Sequence, residues 1–113
     1  MEIQVVELDS SVTGVRLAGR LDAPGADLIG IKFSAAVASP GRHAVVDLSE
    51  VSFLASMGIR LLISTARAVH LKGARMVLYG AQEPVRSVLE ETAVDQIVPL
   101  VATEQEALAR LSG

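Results

Sequence analysis

Cysteine is absent from the 113-residue chain, so neither a disulfide framework nor a thiolate metal site can be built. The two histidines, His43 and His70, do not stand at metal-ligand spacing, and no structural or catalytic metal is expected. Aromatic residues number three (Phe33, Phe53 and Tyr79) in a sequence that is half hydrophobic. The core must therefore be aliphatic, and disorder is excluded by the same abundance of Val, Leu, Ile and Ala. Basic clusters are missing too. Ten Lys/Arg face 13 Asp/Glu, the formal net charge is -3, and no run of basic residues offers a footprint for nucleic acid. No apolar run is long enough to span a bilayer, and "MEIQVVELDS" lacks a basic segment leading into an apolar one. A cytoplasmic protein with no direct membrane insertion is the expectation.

What is present is one domain's worth of chain, residues 1–113. Residues 2–8 and "VTGVRLAG" alternate in the manner of strands around "DSS", which predicts an antiparallel hairpin. Pro24 opens a helix to about Ser39, with Ala26, Ile29, Phe33 and Val37 at helical spacing, although Gly30 weakens it. "HAVVDLS" and "ARMVLYG" are short apolar runs suited to strands covered on both faces. Between them, residues 57–72 place Ile59, Leu62, Ile63, Ala66 and Val69 on one helical face and Arg60, Ser64 and Arg67 on another. A helix starting near Pro84, an edge strand in "QIVPLV", and a last helix with Thr103 and Glu106 at capping-box spacing complete the pattern. The fold class is α/β: a mixed sheet with an N-terminal antiparallel hairpin, central parallel strands and about four packed α-helices.

One stretch carries chemistry. In "FLASMGIRLLI" a single hydroxyl, Ser56, stands where a strand passes into a helix. As a helix N-cap it would accept a backbone hydrogen bond and contribute about 1 kcal/mol. As a hydrolase nucleophile it fails: Leu54 occupies the position where a nucleophile elbow needs Gly, and His70 lies about 21 Å along the same helix. No phosphate-binding glycine loop is present either. The third reading is a phosphorylation switch, since free N–H groups and the helix dipole accommodate a phosphate at a helix start. Met57 and Leu61 are expected to form a small apolar patch beside the serine.

The run "VVDLSEVSFLASMGIRLL" resembles the signature of STAS domains, named for sulphate transporters and anti-sigma factor antagonists, and "LAGRLDA" and the C-terminal half extend the resemblance over nearly the whole chain. The resemblance implies a STAS-type fold and a non-enzymatic anti-sigma factor antagonist (anti-anti-sigma factor) that needs no cofactor of its own. By position, Ser56 matches the serine that a partner anti-sigma factor, a serine kinase using ATP and Mg, phosphorylates in that family. Asp22 and Asp47 match acids near that serine, and Gly58 matches the glycine after it. Ala55, Met57, Gly58, Arg60 and Leu61, with the two acids, make up the implied partner-binding surface. The family usually has Asp and Ser where this chain has Ala55 and Met57. The implied mechanism is partner switching. The unphosphorylated protein binds the kinase, phosphorylation releases it, and a metal-dependent serine phosphatase resets it. The alternative is a STAS regulatory subunit of a membrane transporter, or a scaffold of a signalling assembly, with no phosphorylation cycle.

Overall fold

The computed structural model describes residues 1–8 and 11–112, so Asp9 and Ser10 of the "DSS" turn lie outside the described residues. The order is β1 (Glu2–Glu7), β2 (Val12–Leu21), α1 (Ala23–Val37), β3 (His43–Leu54), α2 (Ser56–Leu71), β4 (Met76–Tyr79), α3 (Glu83–Glu91), a 3-10 turn (Val94–Gln96), β5 (Leu100–Val101) and α4 (Glu104–Ser112). One five-stranded sheet runs β1-β2-β3-β4-β5. Its first pair is antiparallel and the rest are parallel, so the expected mixed sheet is what forms.

Helices cover the sheet on both faces. The larger core joins Leu17, Val46, Leu48 and Leu78 of the sheet to Ile29 and Phe33 of α1, Leu62 and Val69 of α2, and Val85 and Leu89 of α3. A smaller cluster on the other face packs Val45 and Val77 against Ala107 of α4, with Leu108 and Leu111 partly buried beside it. The apolar spacing read from α1 is the buried face, and Gly30 faces Leu61 of α2, whose Cδ1 lies 3.9 Å from where a Cβ would stand. Thr103 caps α4, its Oγ1 accepting from the Glu106 N–H at 3.1 Å. Pro99 suits the edge strand, since its carbonyl accepts from Leu78 N–H and the ladder asks it for no donor.

Two departures bear on function. β3 does not stop at Ser49 but runs on to Leu54, its pairing with β2 shifting register twice, opposite Arg16/Ala18 and Gly19/Arg20, where β3 holds one residue more than β2. Helix α2 begins one residue earlier than the spacing predicts, at Ser56.

Candidate functional site

The C-terminal ends of β2 and β3 are neighbours: Leu21 pairs with Leu54, and Ala55 N–H donates to the Leu21 carbonyl at 3.1 Å. Each strand turns at once into a helix, through Leu21-Asp22-Ala23-Pro24-Gly25 and Leu54-Ala55-Ser56-Met57-Gly58. The two turns are alike in outline. In both, the third helical residue is a glycine pressed on backbone: a Cβ on Gly25 would lie 2.2 Å from the Arg20 carbonyl oxygen, and one on Gly58 would lie 2.4 Å from that of Leu21. No side chain fits at either place, which is why both helices can start hard against the sheet. Two helix N-termini, the positive ends of their dipoles, thus converge on one patch at the carboxyl edge of the parallel sheet.

Their caps differ. Asp22 is the N-cap of α1, its Oδ1 accepting from Gly25 N–H at 2.9 Å and its Oδ2 from Arg20 Nε at 3.3 Å. The Gly25 hydrogen bond holds the Asp22 carboxyl below its ordinary value, against the opposing effect of desolvation, and Arg20 lowers it further. The N-cap of α2 is Ala55, which has no side-chain acceptor to offer. Ser56 is therefore not the cap expected from its position: it is the first helical residue, its side chain exposed at the head of a helix whose first-turn N–H groups no side chain satisfies. No acidic residue lies in that first turn.

Around Ser56 the surface is part apolar. Met57 is 40% exposed and Phe53 39%, and the Arg20 guanidinium sits 4.1 Å from the Phe53 ring centroid while also pairing with Asp22. Along α2, Ser56, Ile59, Arg60 and Ile63 line a shallow recess of about 360 Å³. Arg60 and Arg67, both at its edge, form no ion pair among the described residues.

Of the expected site residues, the structure brings together Asp22, Ala55, Ser56, Met57, Gly58 and Arg60. Leu61 is not part of the patch. It turns inward against α1 at Gly30, and the apolar neighbours of Ser56 in the recess are Ile59 and Ile63 instead. Asp47 also stands apart. It sits on the α4 face of the sheet, seven residues before the end of β3, buried, accepting from Ser49 N–H at 2.8 Å and paired with Arg16 at 3.3 Å. It adjoins Tyr79, whose hydroxyl is pushed above its ordinary value by burial and by the carboxylates of Asp47 and Glu104. Asp47 thus ties Ser49, two residues further along the same strand, to Arg16 of the neighbouring β2.

Sequence reasoning missed Arg20, Phe53, Ile59 and Ile63. The last two lay in the stripe assigned to the core, but both are only half-buried. Phe53 faces out because Val51 and Leu54, three residues apart, are both buried, a break in alternation beside the register shift. Arg20 was legible as a residue two before Asp22 at a strand end.

No cluster of metal-ligating residues accompanies the serine among the described residues, and the recess beside it is lined by Ile59, Ile63, Arg60, Arg67 and a second hydroxyl, Ser64. Residues 3–107 match the STAS domain family, and the chain belongs to it. The anti-sigma F factor antagonist of Paenibacillus polymyxa is 26% identical over 113 residues, covering 98% of this chain and 97% of that protein. The structure of the anti-sigma factor antagonist SpoIIAA in its unphosphorylated form has a TM-score of 0.80 at 25% identity, covering 99% of this chain and 97% of that one. The phosphorylated form of the Bacillus cell fate determinant SpoIIAA shares the fold, with a TM-score of 0.71 at 24% identity over 96% and 98% of the two chains. The chain is accordingly a regulatory binding protein and not an enzyme. No helix among the described residues is long and apolar enough to cross a membrane.

Proposed function

We propose that this chain is an anti-sigma factor antagonist whose binding to an anti-sigma serine kinase is switched off by phosphorylation of Ser56. The observation that carries the reading is the exposed Ser56 at the head of an uncapped helix, flanked by Phe53 and Met57. An exposed apolar patch with a polar rim is what a partner covers. The kinase would bring ATP and Mg. The Ser56 oxygen attacks the γ-phosphorus, ADP leaves, and the hydroxyl proton passes to a base of the kinase.

The product stays folded for an electrostatic reason. A phosphate of about -1.5 to -2 charge at the first helical position meets the dipole's positive end and first-turn N–H groups that Ala55 leaves uncapped. No acid of that turn opposes it, and Asp22 is already held by Arg20 and Gly25. The same charge is ruinous to the docked state, where it must be desolvated against the partner. A penalty of about 3 kcal/mol weakens binding roughly a hundredfold. A metal-dependent serine phosphatase would restore the hydroxyl.

The reading is tested by incubating the protein with its cognate anti-sigma kinase and Mg-ATP and measuring intact mass and the modified residue. One phosphate, on Ser56, is the expected result. No phosphate from a kinase that is active on another antagonist overturns it.

A further inference from the structure

The charge of this chain is divided along its length. Between Glu50 and Glu83 there is no acidic residue at all, while Arg60, Arg67, Lys72 and Arg75 fall there. In a chain of net charge -3, this segment carries +4 and the remainder -7. The basic residues are not scattered. Arg60 and Arg67 lie on the exposed face of α2, two helical turns and about 10 Å apart, with His70 one turn further on.

Beyond Arg67 that face borders a second recess, of about 420 Å³, between the last turns of α2, the start of β4 and the segment before β5. It is floored by Ala66, Leu71, Met76 and Ile97 and rimmed by Arg67, Arg75 and His70, with no acid in its lining. Leu71 is 85% exposed and Ile97 52%, an unusual outlay of large aliphatic surface for a face with no covering element. Arg67 borders both this recess and the one at Ser56, so the two are neighbours along α2.

We propose that the groove from Arg67 to Ile97 is a second docking site, and that its occupant is an acidic amphipathic segment of a protein partner. Such a segment lays leucine-like residues at helical spacing into the apolar floor and sets its carboxylates against Arg67, Arg75 and His70. Charge complementarity selects this occupant. A lone fatty carboxylate would engage one of the two guanidinium groups, Arg67 or Arg75, of which Arg75 already donates to the Arg110 carbonyl at 3.2 Å. A bilayer surface is flat, whereas Leu71 and Ile97 line a recess between the end of α2 and the segment before β5. A second copy of this chain offers a poorer match: the exposed Leu28 and Ile31 of α1 are accompanied by Asp27 but also by Lys32. The site does not depend on the state of Ser56.

The test uses a short fluorescent peptide with leucine at i, i+3, i+4 and i+7 and glutamate elsewhere, its lysine counterpart, and phosphatidylglycerol vesicles, each titrated into the intact protein. The acidic peptide should bind saturably, shift the backbone amide resonances of residues 66–76 and 97–99, and bind Ser56→Asp equally well. Arg67→Glu and Ile97→Asp should each weaken it by roughly tenfold or more, a change of about 1.4 kcal/mol. Both side chains are at the surface, on different elements, and unaltered thermal unfolding of either variant is enough to read the result. No saturable binding, equal binding of the lysine peptide, or shifts elsewhere on the protein overturns the proposal. So does binding of the vesicles in preference to the peptide, or a concentration-dependent dimer that Ile97→Asp abolishes. Loss of kinase phosphorylation of Ser56 would touch none of these readouts, so the two proposals fail separately.

Discussion

Asp22 and Ala55 occupy equivalent places, and the difference between them sets the chemistry of the site. One helix start is capped by a carboxylate; the other is bare beside the serine. Replacing Ala55 by Asp should therefore cap α2 through Gly58 N–H and raise stability by about 1 kcal/mol in urea unfolding. The same carboxylate would compete with a Ser56 phosphate for the first-turn donors, so phosphorylation of Ala55→Asp should cost more stability than phosphorylation of the wild type. No gain in stability would mean that the Ala55 turn does not present its donors as described. Asp22 carries a pH signature. Its folded-state value lies below the ordinary 3.8, so its contribution is complete above that value and is lost as pH falls through the lowered one. The stability difference between wild type and Asp22→Asn should be constant from neutral pH to about 4 and close below it. A difference that stays the same down to pH 2 contradicts the assignment. At this scale the sequence was a partial guide. Ser56 stood out because it is the one hydroxyl between an apolar strand and an apolar helix, but its role as cap did not follow, because one residue of helix phase decides between cap and first turn. Asp47 was matched to the site by resemblance alone, and strand alternation carries it to the other face of the sheet.

Gly58 lets the first turn of helix α2 lie directly against the Leu21 backbone. The Leu21 carbonyl at 2.4 Å and the Leu21 Cγ at 2.6 Å from a notional Cβ leave the helix no room to retain its place if a methyl is added. Gly58→Ala should destabilise by about 1–3 kcal/mol and, by lifting the first turn, should weaken partner binding even where the variant is folded. Unchanged unfolding and unchanged binding would show that the junction is looser than its geometry. The helices themselves were readable because each buries one stripe: Ile29, Phe33 and Val37 in α1, Val85 and Leu89 in α3, all at helical spacing and all fully covered. In α2 the pattern was broader than the buried face. Ile59 and Ile63 kept the spacing of a core stripe yet border the Ser56 recess, since periodicity reports which residues share a side and not where the neighbouring element ends. The length of β3 escaped for a related reason. Ser49, Glu50 and Ser52 look like the end of a strand, but β3 takes up its extra residues as bulges and stays paired with β2 as far as Leu54.

At the scale of the molecule, the topology gathers the Ser56 site at one edge. The parallel strands all end on the side where α1 and α2 begin, so an acid-capped helix, a bare helix and an aromatic–arginine stack meet without any long loop. The mixed character of the sheet, an antiparallel hairpin with parallel strands beyond it, followed from the sequence because a hairpin feeding right-handed crossovers has few alternatives. The segregation of charge, basic along α2 and acidic elsewhere, was present in the sequence as a gap between Glu50 and Glu83 that the net charge conceals. A partner that meets this face meets a positive surface, and a phosphate on Ser56 would change its sign at one end only. The central claim, that charge at Ser56 governs docking, is tested most directly by calorimetric titration of the cognate anti-sigma kinase with wild type, Ser56→Ala and Ser56→Asp, all confirmed folded. The account predicts that Ser56→Ala binds as the wild type does and that Ser56→Asp loses roughly tenfold or more in affinity. Equal affinity of the two variants would contradict it.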